Sequence, residues 1–167
     1  DVGVYPISFS RMIAGAALGK KFINPKSITG TVTMGETGVD EISYATLEFE
    51  NGIIAEASTA IREEMKNNAI ITGTKGTIEL DQPWDPGKEG GPYHSTFKVS
   101  SKDQTEVIDF KGPEHLFFFE AELASQTILK EKTEAPYPAM TWEDTLGNLK
   151  TLDKWRRIIG YSLPQDS

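Results

Sequence analysis

The chain has 167 residues, of which 38% are hydrophobic and 25% charged, so it is long enough for one domain with a real core and is neither disordered nor collagen-like. Its 17 Lys and Arg residues face 25 Asp and Glu residues, and the net charge of −8 argues against nucleic acid or an anionic membrane surface as a partner. The absence of cysteine excludes a disulfide framework and a thiol nucleophile.

The beginning of the chain does not resemble a targeting segment. Residues Asp1 to Pro6 contain neither an initiator Met nor the basic start and small-residue cleavage site of a signal peptide. No apolar run approaches the ~20 residues that cross a bilayer. We therefore expect a cytoplasmic protein without membrane contact, whose sequence starts inside a longer protein with a further domain before it.

The first predicted element is a helix over residues 7–18. Pro6 suits its first turn, where the missing N–H would have no partner, and Gly19 is a plausible stop. The middle of the chain then favours β-strands, with predicted segments at 27–34, 42–50, 53–60, 69–72, 77–80, 96–100 and 105–110. Two further helices are predicted over 115–130, with Phe117, Ala121, Ala124 and Ile128 on one stripe, and from Thr141 to Gly160, with Trp142, Leu146, Leu149 and Leu152 at helical spacing.

The connections between the strands indicate hairpins. Asn51-Gly52 supplies the positive φ angles of a tight two-residue turn, and Gly73-Thr74-Lys75-Gly76 separates the next pair. Consecutive hairpins imply an antiparallel sheet, because parallel strands need crossover connections. We predict a single α+β domain over residues 1–167, with an open, mainly antiparallel sheet and helices packed on one face.

The other face of the sheet is a candidate pairing surface. In the strand over 42–50, alternation places Ser43, Ala45 and Leu47 on one side and Tyr44 and Thr46 on the other. A half-apolar open face is often where homodimers pair, although a solvated face explains the same pattern.

The segment Asp1-x-Gly3-x-Tyr5 is the first candidate site, because it leads directly into a helix. Carbonyl reduction needs a proton for the nascent alkoxide, alcohol oxidation needs its removal, and a tyrosine hydroxyl can do both. Gly3 would let a flat ring approach closely. The structural alternative is a tyrosine that packs against, or caps, the start of the helix.

Trp84 is the second candidate, because it lies in a long Pro- and Gly-rich loop between predicted strands. An aromatic face can stack on a sugar ring or an aromatic diol, while the structural alternative is a tryptophan that pins the loop to the domain. The two histidines, His94 and His115, have no metal-ligand spacing, and we expect no metal site. No dinucleotide-binding G-x-G-x-x-G occurs in the chain.

In chain order, these segments resemble the C-terminal domain of the glucose–fructose oxidoreductase/inositol dehydrogenase (Gfo/Idh/MocA) family, and most of all its dihydrodiol and D-xylose dehydrogenase branch. Asp1-Val2-Gly3-Val4-Tyr5 is similar to the family's D-x-G-x-[HY] motif. The other matching stretches are Thr37 to Glu41, Phe49 to Gly52, Gly73 to Ile78, Gln82 to Pro86 and Leu163 to Asp166.

The resemblance implies a two-domain oxidoreductase that transfers a hydride between NAD or NADP and a sugar or vicinal diol. The cofactor and a catalytic lysine would belong to the chain's own N-terminal Rossmann domain, so we expect residues 1–167 alone to be inactive. By the family motif, Tyr5 is the acid/base and Asp1 its catalytic neighbour. Trp84 would contact the substrate and Gly3 the cofactor, while the open sheet face would form a homodimer.

A second hypothesis is that the domain has the same fold but catalyses no reaction. The domain would then be a self-associating or ligand-binding module, since one fold serves many functions. The discriminating feature is Asp1-x-Gly3-x-Tyr5, which a pairing module would not need.

Overall fold

A computed structural model describes residues 2–87 and 91–163. The chain divides into two compact units: the first comprises Asp1–Met65 and Glu134–Ser167, the second Lys66–Thr133. A single domain over residues 1–167 stays a prediction, and each unit is described by itself. The elements in chain order are α1 (Val4–Ala17), β1 (Ser27–Met34), β2 (Asp40–Glu48), β3 (Ile54–Ala60), β4 (Asn68–Gly73), β5 (Gly76–Asp81), β6 (His94–Ser101), β7 (Thr105–Lys111), α2 (Leu116–Leu129) and α3 (Trp142–Ile158).

Helix α1 begins earlier than the sequence indicates. Gly3 already has helical backbone angles, and the helix runs from Val4 instead of residue 7. Pro6 therefore lies inside the first turn, where its fixed φ suits a helix and its missing N–H costs nothing. This correction places Tyr5 on the helix itself. At the other end the helix stops as expected, with Gly19 at φ +68°.

Strands β1, β2 and β3 form an antiparallel sheet in that order. The predicted alternation in β2 is confirmed: Ser43, Ala45 and Leu47 are buried, while Tyr44 on the other face is 49% exposed. The register sets Ile28 opposite Leu47, so their side chains lie together on the buried face.

The turn between β2 and β3 differs from the prediction by one residue. Asn51 and Gly52 have the expected positive φ angles, +56° and +74°. However, Glu50–Gly52 form a short 3₁₀ turn, and the Phe49 N–H donates to the Ile53 carbonyl at 2.8 Å. The turn itself therefore has three residues instead of two, and β2 ends at Glu48 instead of residue 50.

Helices α1 and α3 pack on the buried face of this sheet. The core of the first unit brings together Ile7 from α1, Leu47 from β2 and Trp155 from α3. The Trp155 indole N–H donates to the Tyr44 carbonyl at 3.2 Å, which satisfies its one polar atom in the core. Gly30 lies beneath the ring, where a Cβ would be 3.0 Å from Nε1.

In the second unit, β4, β5, β6 and β7 form one antiparallel sheet in chain order. The predicted hairpins β4–β5 and β6–β7 are confirmed, and pairing of β5 with β6 joins them. Helix α2 has no buried residue, and Phe117 and Ile128 of its predicted stripe are 61% and 72% exposed.

The α+β class and the antiparallel pairing are confirmed. The strands of the described residues form two sheets, of three and four strands, where the sequence suggested one. None of the described helices is long and apolar enough to span a bilayer.

Candidate functional site

Tyr5 is presented by the first turn of α1. Its backbone N–H donates to the Val2 carbonyl at 3.3 Å, and its side chain is 52% exposed. A half-exposed tyrosine on the first turn of a helix suits proton exchange with a bound substrate. Asp1 lies outside the described residues, so its placement beside Tyr5 stays a prediction.

Gly3 packs against α3. A Cβ at this position would be 3.3 Å from Cζ3 of Trp155 and 3.4 Å from Cδ2 of Leu152. The small residue therefore lets the start of α1 approach the buried tryptophan closely. This packing accounts for a glycine here without a ligand, and the predicted cofactor contact of Gly3 stays a prediction.

Trp84 belongs to the second unit, in the loop that follows β5. It is partly buried, as are its neighbours Pro83 and Asp85. Tyr5 belongs to the first unit, so the surroundings of Tyr5 and of Trp84 are described separately. The substrate-contacting role of Trp84 stays a prediction, and residues 88–90 of the same loop lie outside the described part of the chain.

The two histidines make local contacts in the second unit. His115 is the N-cap of α2, where its Nδ1 accepts from the Phe117 N–H at 3.2 Å. His94 lies on β6 with its Nε2 3.5 Å from Oδ1 of Asp109. A hydrogen bond from Thr96 and then one from His94 lower the pKa of the exposed Asp109 carboxyl. Among the described residues, no group of three or more His, Asp or Glu side chains could hold a metal ion.

A buried polar cluster around Arg11 joins α1 to α3, and the sequence did not predict it. The Arg11 side chain is fully buried, and its Nη1 donates to Oδ1 of Asp144 at 2.5 Å and to the Asp144 carbonyl at 3.1 Å. Nη1 also contacts Oδ1 of Asn148, and Nε donates to Oδ1 of Asn24 at 3.0 Å. The guanidinium carbon lies 4.9 Å from the centre of the Phe22 ring.

The electrostatics of Arg11 are those of a buried, paired cation. Burial lowers the pKa of its guanidinium, while the hydrogen bond and charge of Asp144 act in the opposite direction. Nη2 is buried without a hydrogen-bond partner in the described residues. The cluster therefore fixes the position of α1, and with it Tyr5 at the start of that helix, relative to α3.

One sequence signal could have revealed this cluster. Ile7, Arg11 and Ala14 are spaced like the buried face of α1, so an arginine occupies a position in an apolar stripe. A charge at such a position needs partners, but its partners Asp144 and Asn148 are more than 130 residues away in the sequence. The pairing could not be predicted from the sequence alone.

Comparisons with known proteins support the resemblance that the sequence suggested. Residues 1–79 match the family model described as GFO/IDH/MocA C-terminal domain, which confirms the resemblance to that family. The chain is 26% identical, over 99% of its length, to a trans-1,2-dihydrobenzene-1,2-diol dehydrogenase from Mus musculus and likewise to the Homo sapiens enzyme. It spans about half of these curated relatives, 47% of each.

Solved structures show the same fold. A 3-ketoreductase from Actinomadura kijaniata, crystallised with NADP and TDP-benzene, superposes with a TM-score of 0.74 at 21% identity. The match covers 94% of this chain and 44% of that one. An oxidoreductase from Agrobacterium radiobacter, in complex with NAD+, L-tartaric acid and magnesium, gives a TM-score of 0.68 at 12% identity, covering 96% of this chain and 46% of its own.

Proposed function

Because residues 1–79 match the C-terminal domain of the GFO/IDH/MocA family, we propose that this chain is the substrate-binding half of an NAD(P)-dependent oxidoreductase. The observation that carries the proposal is the match along 99% of this chain to dihydrodiol dehydrogenases that are about twice as long. A dinucleotide-binding half before residue 1 would complete the enzyme. The substrate class is a sugar or a vicinal diol, since the relatives' own name specifies a 1,2-diol.

In this proposal the nicotinamide supplies or accepts the hydride, and Tyr5 handles the proton. Its hydroxyl donates to the nascent alkoxide during carbonyl reduction and accepts the proton during alcohol oxidation. A lysine from the N-terminal half would favour the phenolate by its charge. The position of Tyr5 on the first turn of α1, where the residue is 52% exposed, supports this role.

The residues of this chain give the cofactor little to bind. Gly3 is the residue assigned to it, and Gly3 already lies against the ring of Trp155. The Gly73–Gly76 turn joins antiparallel strands β4 and β5, whereas a dinucleotide-binding turn connects a strand to a helix. We therefore assign binding of NAD or NADP to the N-terminal half, with Gly3 at most a contact at its edge.

We also propose that the enzyme is a cytoplasmic homodimer that pairs through the outer face of the β1–β2–β3 sheet. That face carries Thr31, Tyr44 and Ser58 side by side in register, and Tyr44 is 49% exposed. Small hydroxyl side chains around an aromatic ring allow a second sheet to approach closely, and a two-fold axis would place the same residues opposite each other.

The direct test is hydride transfer by the protein together with its upstream half. Purified full-length protein should form NADH or NADPH from at least one member of a panel of aldoses and cyclic vicinal diols. The 167-residue chain, assayed in parallel, should form neither, because it lacks the hydride carrier and the lysine. Cofactor turnover by the 167-residue chain would refute the proposal that a separate half binds the cofactor. A full-length protein that neither binds NAD(P) nor turns over substrate would favour the non-catalytic module.

A further inference from the structure

A basic cleft in the first unit has none of the residues around Tyr5 in its lining. It has a volume of about 250 Å³ and is lined by Asn24 and Pro25 from the α1–β1 connection and by residues on one side of α3. The α3 residues are Lys150, Thr151, Asp153, Lys154 and Arg157.

Helical geometry explains why the cations converge. Lys150, Lys154 and Arg157 have the spacing i, i+4 and i+7, which places them on one face of α3. Like charges at this spacing repel each other and destabilise an isolated helix. Among the described residues none of the three forms an ion pair, although the protein as a whole has a charge of −8.

The other lining residues shape the cleft for a small anion. Asp153 forms a salt bridge with Arg156 at 3.2 Å. With one carboxylate and three cations, the lining residues have a net charge of +2. Asn24 accepts from Arg11 through its Oδ1, so its amide Nδ2 is the donor it can offer to a ligand. Pro25 and Thr151 are buried and form a fixed floor.

We propose that this cleft binds a phosphate group. A phosphate carries a charge of about −1.5 to −2 at neutral pH, close to the opposite charge of the lining residues. Its several oxygens can accept from all three cations at once, and the planar guanidinium of Arg157 matches phosphate geometry. A carboxylate has one charge and two oxygens, and would leave at least one of the cations unpaired. The inference goes beyond the proposed function and does not depend on it.

The experiment is a titration of the 167-residue chain with inorganic phosphate and, separately, with glycerol 3-phosphate, followed by amide chemical shifts at constant ionic strength. Saturable shifts confined to residues around Asn24 and the second half of α3 are expected. Preference for glycerol 3-phosphate would identify a phosphate monoester as the ligand, and preference for inorganic phosphate the free ion. Either preference supports the proposal.

Two variants and a matched control decide whether the cleft is responsible. Lys154→Gln and Arg157→Gln should each weaken binding about tenfold, because each removes one charge-assisted contact. Lys75→Gln removes the same charge from an exposed hairpin turn of the second unit and should leave the affinity unchanged. Shifts that do not saturate, or equal affinities for all three variants, would overturn the proposal. The test requires no turnover, so its failure would leave the proposed oxidoreductase function intact.

Discussion

Arg11 shows how a single residue orders the first unit. Its buried guanidinium donates to oxygens of Asn24, Asp144 and Asn148, so α1, the connection after it and α3 meet at one cation. A buried charge is tolerated only when it is paired, and removal of one partner typically costs about 3–5 kcal/mol. The same side chain leaves no room for a Cβ at position 147, where α3 crosses it.

We therefore expect Gly147→Ala to destabilise the first unit. In an unobstructed helix this change would stabilise by up to about 1 kcal/mol, because alanine has the higher helix propensity. Here the new Cβ would overlap Nη2 of Arg11 and lie 2.8 Å from Oδ1 of Asn24, so a loss of about 1–3 kcal/mol is expected instead. Urea unfolding monitored by tryptophan fluorescence measures the change.

Gly73→Ala is the matched control for this substitution. A Cβ at Gly73 would have only the Gly76 carbonyl within 4 Å, at 3.8 Å, and Gly73 has no positive φ. Its effect should be within about 0.5 kcal/mol of zero. Stabilisation by Gly147→Ala would show that Arg11 is not packed as described.

At the level of elements, the sequence predicted the helices and the tight turns, because these features depend on residues that are close together in the chain. The hairpins at Asn51-Gly52 and Gly73–Gly76 follow from turn chemistry, and all three helices were identified. Pairing of β5 with β6 was not predictable, because a long loop separates them. The buried side of α3 was predicted only in part. Leu152 of the predicted stripe packs against the core, but Leu146 and Leu149 are exposed. Asn148 and Thr151 are buried instead.

Thr141 and Asp144 have the spacing of a capping box at the start of α3, but only half of that box forms. The hydroxyl of Thr141 accepts from the Asp144 N–H at 3.2 Å, as expected of an N-cap. The Asp144 carboxylate does not reach back to the Thr141 N–H but pairs with Arg11. Pairing with the buried Arg11 cation thus replaces the hydrogen bond that the Asp144 carboxylate would make to the Thr141 N–H in a capping box.

Thr141→Ala should destabilise the first unit by about 1 kcal/mol, because the Asp144 N–H loses its acceptor. Thr141→Ser keeps a hydroxyl in place and should recover most of that loss. Thermal unfolding by circular dichroism compares the two variants with the unmodified chain. Equal melting temperatures for all three proteins would mean that the cap contributes nothing to stability.

At the scale of the whole molecule, the chain order of the matching segments could be recognised in the sequence. The arrangement of the candidate site residues in space could not. The motif around Tyr5 and the order of the later segments predicted a resemblance to the GFO/IDH/MocA C-terminal domain, and residues 1–79 match the model of that domain. The chain spans 47% of the dihydrodiol dehydrogenases that it matches, and their remaining length has no counterpart in residues 1–167. The proposed roles of Tyr5 and Trp84 therefore rest on the family motif and not on a geometry that this sequence could predict.

The proposed dimer predicts a mass in solution of twice that of one chain, measured by light scattering behind a sizing column. Thr46→Glu would place a charge on the outer face of the sheet, next to Tyr44, and should shift the protein to monomers by like-charge repulsion across the two-fold axis. Thr74→Glu adds the same charge at the exposed β4–β5 turn and should not alter the mass. If the unmodified protein is a monomer, the proposed pairing through the outer face of the sheet is wrong.

The measurement that tests the central claim most directly is steady-state kinetics of Tyr5→Phe in the full-length protein. Loss of the hydroxyl should lower kcat by roughly 10²–10⁴-fold with little change in substrate or cofactor binding, since the ring and its position on α1 are kept. Tyr161→Phe, beyond the end of α3, is the control and should retain full activity. If Tyr5→Phe also retains full activity, Tyr5 is not the acid/base, and the proposed mechanism is wrong.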